Sequence, residues 1–261
     1  MTFHYSGQPI LASESIFRRL PTIVEREQRI RFQALAYSAD TLTHSYQKIQ
    51  ELAIQVGANL ESVTEKIRIR LISSAWMIVD HLHAVRQIWN SFSGEPGPNT
   101  LEFLRLTQPA TALRNKMDHL NSNIPNLAKT TGRISPIFGA LSYVYIDDIK
   151  YTASRAVPTS GHLISIIAGS FLGNDATQFP NPLGKRLCIP VDLFQLDAFG
   201  TILELGPPLG VLSILLQNLE NTITPQLDAQ ISTISREQSL KEELLRAHMG
   251  NGYTFSVQIK F

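Results

Sequence analysis

The chain has 261 residues, of which 43% are hydrophobic and 17% are charged, and its formal net charge is +1. This composition excludes a disordered chain, a collagen-like repeat and a disulfide scaffold. The near-zero net charge supplies no general basic field that would attract nucleic acid. The one cysteine, Cys188, excludes an intramolecular disulfide and is taken to exclude a Cys-based zinc site as well.

The N-terminal sequence lacks the basic start and apolar core of a secretory signal. The longest strongly apolar stretch, near residues 207–216, is far shorter than the roughly 20 residues that a membrane-spanning helix needs. We therefore expect a cytoplasmic protein without a membrane segment.

The first half of the chain has the periodicity of long helices. From about residue 25 to 55, apolar side chains recur at helical spacing, and Asn59 is placed to cap the helix that follows. The strongest stripe then runs over residues 60–92 in alternating steps of three and four, and the segment 93–99 ends it. The apolar positions of the two helices are Leu35, Leu42, Tyr46, Ile49 and Leu52, and then Leu60, Val63, Ile67, Leu71, Ser74, Ile78, Leu82, Val85, Trp89 and Phe92.

A third helical stretch begins near Thr100, with Leu101, Leu104 and Leu106 as its apolar positions. Pro109 either interrupts this helix or starts a new one, and Pro125 and Gly132 close the helical region. The pattern predicts a bundle of three or four helices.

The second half changes to strand-like composition. Segments 135–146, 150–157 and 162–169 are predicted strands, separated by turns at Asp147-Asp148 and at residues 158–161. Further strands are expected at 187–191 and 199–205. A helix follows with a stripe from Leu212 to Ile223, and Pro225 is expected to end it.

The C-terminal region is predicted to contain a short charged helix over residues 236–250 and a last strand over residues 253–261, whose apolar residues alternate strictly. The predicted fold class is therefore α+β. A helical bundle over residues 1–130 precedes a strand-rich region with one or two helices over residues 131–261.

The segment 113–120, LRNKMDHL, contains the first candidate site. Arg114 and His119 are separated by four residues, and the polar Asn115 directly follows the arginine. An arginine holds phosphate through its forked donors, and a histidine moves a proton near neutral pH. These two roles suit RNA cleavage by an internal 2′-hydroxyl.

This Arg-x4-His motif in a helical bundle resembles the HEPN superfamily over about residues 25–125. The resemblance implies a four- or five-helix bundle that dimerises and, in active members, a metal-independent ribonuclease of defence or stress systems. Carried over by position, Arg114 would stabilise the phosphate, Asn115 would support it and His119 would be the acid or base. No cofactor is implied; the implied partners are a second copy of the chain, RNA and a protein partner such as an antitoxin.

Other residues are supporting candidates. Asp80 or His81 could orient His119, and Asp80 or His83 could build a metal site with His119. Asp118 could instead pair with Arg114 four residues earlier. A His-x-His pair diverges on a regular helix, so His81 and His83 cannot bind one metal together. Ordinary interhelical hydrogen bonding is the alternative for all of them.

The second helix also carries basic residues that could meet a phosphate backbone, although such charges usually only solvate a helix. They are Lys66, Arg68 and Arg70, followed by Arg86.

Two readings without catalysis remain open. In one, the chain is a helical interaction module whose Arg-x4-His motif is incidental, and the strand-rich half recognises a partner or ligand. In the other, a small molecule binds between the two halves, which requires a pocket lined by both. Phosphate-binding glycine loops, the dinucleotide fingerprint, the nucleophile elbow and the HExxH zinc motif are all absent from the sequence.

Overall fold

The computed structural model of the chain describes most of its length, and its element order confirms the α+β class. Long N-terminal helices are followed by a four-stranded antiparallel sheet and then by another long helix. The residues described are 3–92, 95–129, 136–151, 156–168, 178–185, 187–238 and 242. Outside this part of the chain lie the predicted strand over 253–261 and the predicted helix over 236–250, apart from its residues 236–238 and 242.

Helices α1 (Arg26–Ala58) and α2 (Glu65–Asn90) form an antiparallel pair. The predicted apolar stripe of α1 is confirmed, since all five of its positions are buried. In α2 the stripe is buried at Leu71, Ile78, Leu82 and Val85 and half-buried at Ser74, whereas Leu60 is 58% exposed and lies in a separate 3-10 turn. The helix starts later than expected because the Thr64 hydroxyl, and not Asn59, caps it.

Helix α3 spans Pro98–Asp118 without interruption, and α4 (Leu120–Lys129) follows it closely. The sequence left open whether Pro109 interrupts or restarts the third helix, but it lies inside α3. Pro125 likewise lies inside α4 and does not close it. The missing hydrogen bond at Pro109 is tolerated because the buried positions on both sides of it form one continuous face: Phe103, Thr107, Ala110 and Leu113.

Strands β1 (Ala140–Tyr151) and β2 (Ala156–Ile167) form a long antiparallel hairpin. The turn predictions at Asp147-Asp148 and at 158–161 are wrong, because both segments lie within these strands. Two shifts of register accommodate the acidic pair, and each aspartate accepts a hydrogen bond from a β2 hydroxyl: Asp147 from Ser160 and Asp148 from Thr159.

The rest of the sheet comes from β3 (Val191–Ala198), which pairs with β1, and β4 (Thr201–Glu204) at the far edge. The strand predicted over 187–191 is wrong except at Val191. The backbone N–H of Cys188 donates to the side chain of Asp192 and is not paired in a ladder. The turn between β3 and β4 has positive φ at Phe199 and Gly200, the geometry that closes tight hairpins.

Helix α5 spans Gly206–Gln238, so the prediction that Pro225 ends it is also wrong. Beyond this proline the helix buries Leu227 and Ile231 against Ile16, Ile23 and Val24 of the N-terminal segment. Burial on this face offsets the missing backbone donor of the proline.

One hydrophobic cluster connects the helices with the sheet. It includes Leu42 and Tyr46 of α1, Leu141 of β1, Phe194 of β3 and Leu212 of α5. The cluster therefore crosses residue 130, and the N-terminal segment packs into the same core through Phe17 and Leu20.

None of the described helices combines the length and the apolar character that crossing a membrane would require.

Candidate functional site

A cavity of about 600 Å³ lies where the N-terminal segment, α1, the sheet and the start of α5 meet. Its size is in the range typical of small-molecule sites. Both parts of the chain line it: Phe3, His4, Tyr5 and Tyr46 on one side, and on the other Pro180, Gly184, Lys185, Leu187, Cys188, Asp192, Leu193, Phe194, Glu204, Gly206 and Pro207.

Three side chains that can act as a nucleophile, a base or a metal ligand meet at this cavity. The Nε2 atom of His4 lies 2.5 Å from the Sγ atom of Cys188, and the Nδ1 atom of the same ring lies 3.7 Å from Oδ2 of Asp192. His4 is exposed, Cys188 is half-buried and Asp192 is buried. The imidazole therefore stands between the thiol and the carboxylate, with one ring nitrogen toward each.

A bulge in β3 sets the position of Asp192. The ladder between β1 and β3 shifts register between Ser142 and Val144, and Leu193 has a φ of 56°. A leucine in the left-handed region is uncommon and indicates local backbone strain. The carboxylate accepts from the N–H groups of Cys188 at 2.6 Å and Leu193 at 2.7 Å, so it is held rigidly between its two neighbours.

An aromatic wall closes the cavity toward the core. The ring of Tyr46 contacts Tyr5 and Phe194 edge-to-face at centroid distances of 4.9 and 5.5 Å. Burial raises the pKa of Tyr46 well above its ordinary value, and the negative charge of Asp192 acts in the same direction. Tyr46 therefore stays neutral over the physiological pH range.

The opening of the cavity also has polar groups. Lys185 pairs with Glu204 of β4 at 3.5 Å, and the first residues of α5, Gly206 and Pro207, form part of the lining. The N-terminus of a long helix carries a partial positive charge. A carbonyl oxygen or an anionic group of a ligand would be favoured on this side.

His4, Cys188 and Asp192 are also a donor set that a metal ion accepts. Nitrogen, sulfur and carboxylate ligand atoms of these residues lie within 4.8 Å of one another. The sequence argument from the single cysteine considered only sites built from several cysteines and so missed a mixed site. The thiol contacts Nε2 of His4 and the carboxylate lies 3.7 Å from Nδ1, so the same three side chains suit either a metal ion or a histidine placed between a thiol and a carboxylate.

The sequence-predicted motif lies elsewhere, on the outer surface of α2 and α3. The Arg114 guanidinium donates from Nη1 to Oδ1 of Asp80 at 2.6 Å and from Nε to Oδ2 of Asp118 at 3.0 Å. The hydrogen bond that Arg114 donates to Asp80 is the main cause that raises the pKa of Arg114. Two carboxylates thus compensate one guanidinium, which lowers the attraction of this spot for phosphate.

The other two motif residues are exposed. His119 lies just beyond the end of α3; its N–H donates to the carbonyl of Asn115, and its own carbonyl accepts from Ser122. Asn115 is exposed as well. Between them, Lys116 donates to the carbonyl of Phe199 and the hydroxyl of Thr201, so the β3–β4 turn is tied to the end of α3.

The supporting histidines contact other helices. His83 contacts the Thr111 hydroxyl of α3 at 3.3 Å, while His81 faces α1 and contacts Ser38 at 3.2 Å. Burial lowers the pKa of His81, and the charge of Asp80 opposes this shift. These contacts match the interhelical hydrogen bonding that the sequence analysis kept as the alternative.

The basic residues of α2 do not form one uniform surface. Lys66 and Arg70 are exposed, whereas Arg68 pairs with Glu65 three residues earlier. Arg86 is directed toward α3, where it donates to the Leu104 carbonyl, to Thr107 and to Gln108.

Sequence reasoning missed the cavity cluster because its histidine and cysteine are 184 positions apart. Neither residue belongs to a local motif. A single cysteine close to an aspartate four residues later was the one available signal, and spacing alone gave it no meaning.

The fold and site define an α+β protein with a cavity between its N-terminal helical part and its sheet. Comparison with known proteins adds no relative: no family model, no curated protein and no solved structure matches the chain.

Proposed function

We propose that this protein binds a small molecule in the cavity between its helical part and its sheet. The observation that carries the proposal is the lining, which comes from the N-terminal segment, α1, β3, β4 and α5 together. A small-molecule binder between the halves was one of the alternatives left open by the sequence, and a shared pocket was the feature it required.

The lining indicates the chemistry of the ligand. Phe3, Tyr5, Leu187 and Phe194 supply apolar and aromatic surface, whereas the charged groups are concentrated at His4, Lys185, Asp192 and Glu204. A mostly apolar body with one or two polar groups fits this distribution.

The test uses 1-anilinonaphthalene-8-sulfonate, an apolar fluorescent probe with one anionic group. We expect saturable binding with an increase in fluorescence, and loss of binding in Leu187→Trp, because the larger side chain fills the cavity. Leu183→Trp is the matched control, since Leu183 lies on the same segment but is 81% exposed and does not line the cavity. Equal binding by both variants would contradict the proposal.

We propose as a second candidate the HEPN-like function, a metal-independent endoribonuclease with Arg114 on the phosphate and His119 as acid or base. The exposure of Asn115 and His119 favours it, because a substrate can reach both residues at the end of α3. In this reading, substrate phosphate displaces one of the two carboxylates from Arg114, and Lys66 and Arg70 extend the RNA contact.

RNA cleavage by purified protein in the presence of EDTA tests this second candidate. Cleavage should be lost in Arg114→Ala and in His119→Ala. It should persist in Arg105→Ala, a control on the same helix whose arginine pairs with Glu102. Absence of cleavage, or equal cleavage by all three variants, would leave the motif with a structural role.

The ribonuclease candidate carries further proposals with it: a homodimer through the helical part, a protein partner such as an antitoxin, a role in defence or stress, and a cytoplasmic location. Light scattering during size-exclusion chromatography tests the dimer directly. A monomer at micromolar concentration would contradict the composite active site across a dimer cleft that the HEPN resemblance implies.

A further inference from the structure

We propose that Cys188 is a nucleophile, with His4 as its general base and Asp192 as the residue that orients the histidine, and that the site transfers or hydrolyses an acyl group. This inference deepens the proposed function and rests on it, since the substrate would occupy the same cavity. The substrate class is an ester or thioester with an apolar acyl chain.

The order of the three groups carries the inference. A thiol nucleophile needs a base in contact with its sulfur and a third group on the far side of that base. His4 has this arrangement, with Nε2 at 2.5 Å from the Cys188 sulfur and Nδ1 facing the Asp192 carboxylate at 3.7 Å. The second distance is longer than a hydrogen bond, as is common before substrate binds.

The surroundings of Asp192 suit an orienting role. The carboxylate is buried and held by two backbone N–H groups, and one of these belongs to Cys188 itself. The nucleophile and the orienting residue are therefore fixed relative to each other by the bulged backbone of β3. The third member, His4, comes from the N-terminal segment and is exposed.

The cavity supplies the other requirements of acyl transfer. Phe3, Leu187 and Phe194 provide an apolar surface for the chain of the acyl group. The start of α5 at Gly206 brings the positive end of a helix dipole to the same cavity, although Pro207 and Pro208 have no N–H to donate to an oxyanion.

The reaction balances without any co-reactant other than water. The thiol proton of Cys188 moves to Nε2 of His4 as sulfur bonds to the carbonyl carbon, and the C=O pair moves onto oxygen. When that pair returns, the bond to the alcohol or thiol breaks, and the leaving group takes the proton from His4. Water then gives a proton to His4 as its oxygen bonds to the acyl carbon, the S–C bond breaks, and sulfur regains the proton as the carboxylic acid leaves.

The experiment measures alkylation of Cys188 by iodoacetamide and acylation by p-nitrophenyl butyrate on the full chain. Because Cys188 is the one cysteine, an adduct that appears in the intact mass of wild type and is missing from Cys188→Ala is assigned to its sulfur. We expect alkylation near pH 6 to be about tenfold faster than for an ordinary thiol, which titrates near 8.5. We also expect an early release of p-nitrophenol matched by one butyryl group per chain.

His4→Gln should restore the pH profile of an ordinary thiol and abolish acylation. His44→Gln is the matched control, since His44 is an exposed histidine on α1 outside the cavity lining. It should change neither the pH profile of alkylation nor the extent of acylation. Asp192→Asn keeps an acceptor for one of the two backbone N–H groups, which now bind Oδ2 and Oδ1 separately, and it should slow acylation.

Two outcomes would overturn the inference. One is alkylation of wild type at the ordinary rate with no butyryl adduct. The other is stoichiometric zinc in the purified protein that is lost in both Cys188→Ala and His4→Gln, which would make the cluster a metal site.

Failure of this inference is distinguishable from failure of the proposed function. Probe binding and acylation are therefore measured separately on wild type. Probe binding by wild type without a reactive thiol overturns only the nucleophile. Absence of probe binding removes the ligand site on which the acyl substrate depends.

Discussion

Arg114 of α3 reaches across to Asp80 of α2, and their Nη1 and Oδ1 atoms lie 2.6 Å apart. Asp118 holds the same guanidinium from one turn further along α3. The motif that the sequence made the leading catalytic candidate is thus an ion-pair network at a helix–helix contact. The chemical groups that the structure brings to a cavity are a different set, His4, Cys188 and Asp192.

Loss of the interhelical ion pair should have a small effect on stability. We expect Asp80→Ala to lower the free energy of unfolding by at most about 1 kcal/mol, because exposed pairs are weak. The side chains of Arg114 and Asp80 are 38% and 41% exposed. Urea denaturation measures the effect, with Asp118→Ala as the control at about 0.3 kcal/mol. A loss of several kcal/mol would show that Arg114 has a larger structural role.

The start of α2 depends on one hydroxyl. The Thr64 side chain accepts from the N–H of Ile67, so Thr64→Ala should cost about 1 kcal/mol of stability. Thr64→Ser keeps the oxygen and should restore most of it. Chemical denaturation of the two variants side by side tests this, and equal losses would assign the effect to the lost methyl group and not to the cap.

Helix α1 approaches the sheet closely at Gly57. A Cβ atom at this position would lie 2.1 Å from the ring of Tyr145 on β1. We therefore expect Gly57→Ala to cost about 1–3 kcal/mol through overpacking, although alanine is otherwise the better helix residue.

A double-mutant cycle separates these two effects. With Tyr145→Ala in place, the same Gly57→Ala change should become stabilising by about 0.5–1 kcal/mol, because only the helix preference remains. A substitution that destabilises equally in both backgrounds would contradict the close packing of α1 on β1.

His81 should make part of the stability depend on pH. Burial between α2 and α1 lowers its pKa below the ordinary value of 6.5, so the folded state favours the neutral ring. The neutral ring of His81 makes its full contribution to stability above the pKa that this histidine has in the unfolded chain, about 6.5. The contribution falls as the pH drops from there toward the lower pKa of His81 in the folded protein. Neighbouring Asp80 opposes the shift but does not reverse it.

Thermal melts over this pH range compare His81→Gln with wild type. We expect the glutamine variant to lose less stability than wild type between about pH 7 and 5. His44→Gln, at an exposed position of α1, should follow the wild-type profile. A glutamine variant with the full acid sensitivity of wild type would place the responsible group elsewhere.

Much of the helical half could be predicted from the sequence. The stripes of α1 and α2 were identified nearly residue by residue, because burial of one face imposes the helical period on the apolar residues. The ends of elements were less predictable. Pro109, Pro125 and Pro225 all lie inside helices. At Pro109 and Pro225, burial of residues on both sides of the proline outweighs the one donor it lacks.

The strands show the same limit in another form. Asp147-Asp148 and the segment 158–161 have turn composition, yet both are parts of a long hairpin. Two shifts of register in the ladder accommodate the aspartates, and hydroxyls on β2 donate hydrogen bonds to both of them. Pro158 is accepted because β2 is an edge strand, where a missing donor faces no neighbour.

The sequence by itself determined the α+β class, the long helices and the local pairing of Arg114 with Asp118, because these depend on neighbours within a few turns of one element. Only the tertiary structure decided which reactive side chains lie together in the cavity. His4, Cys188 and Asp192 come together because the N-terminal segment packs beside α1 and the bulged β3. That contact depends on the shape of the whole core, which no local spacing encodes.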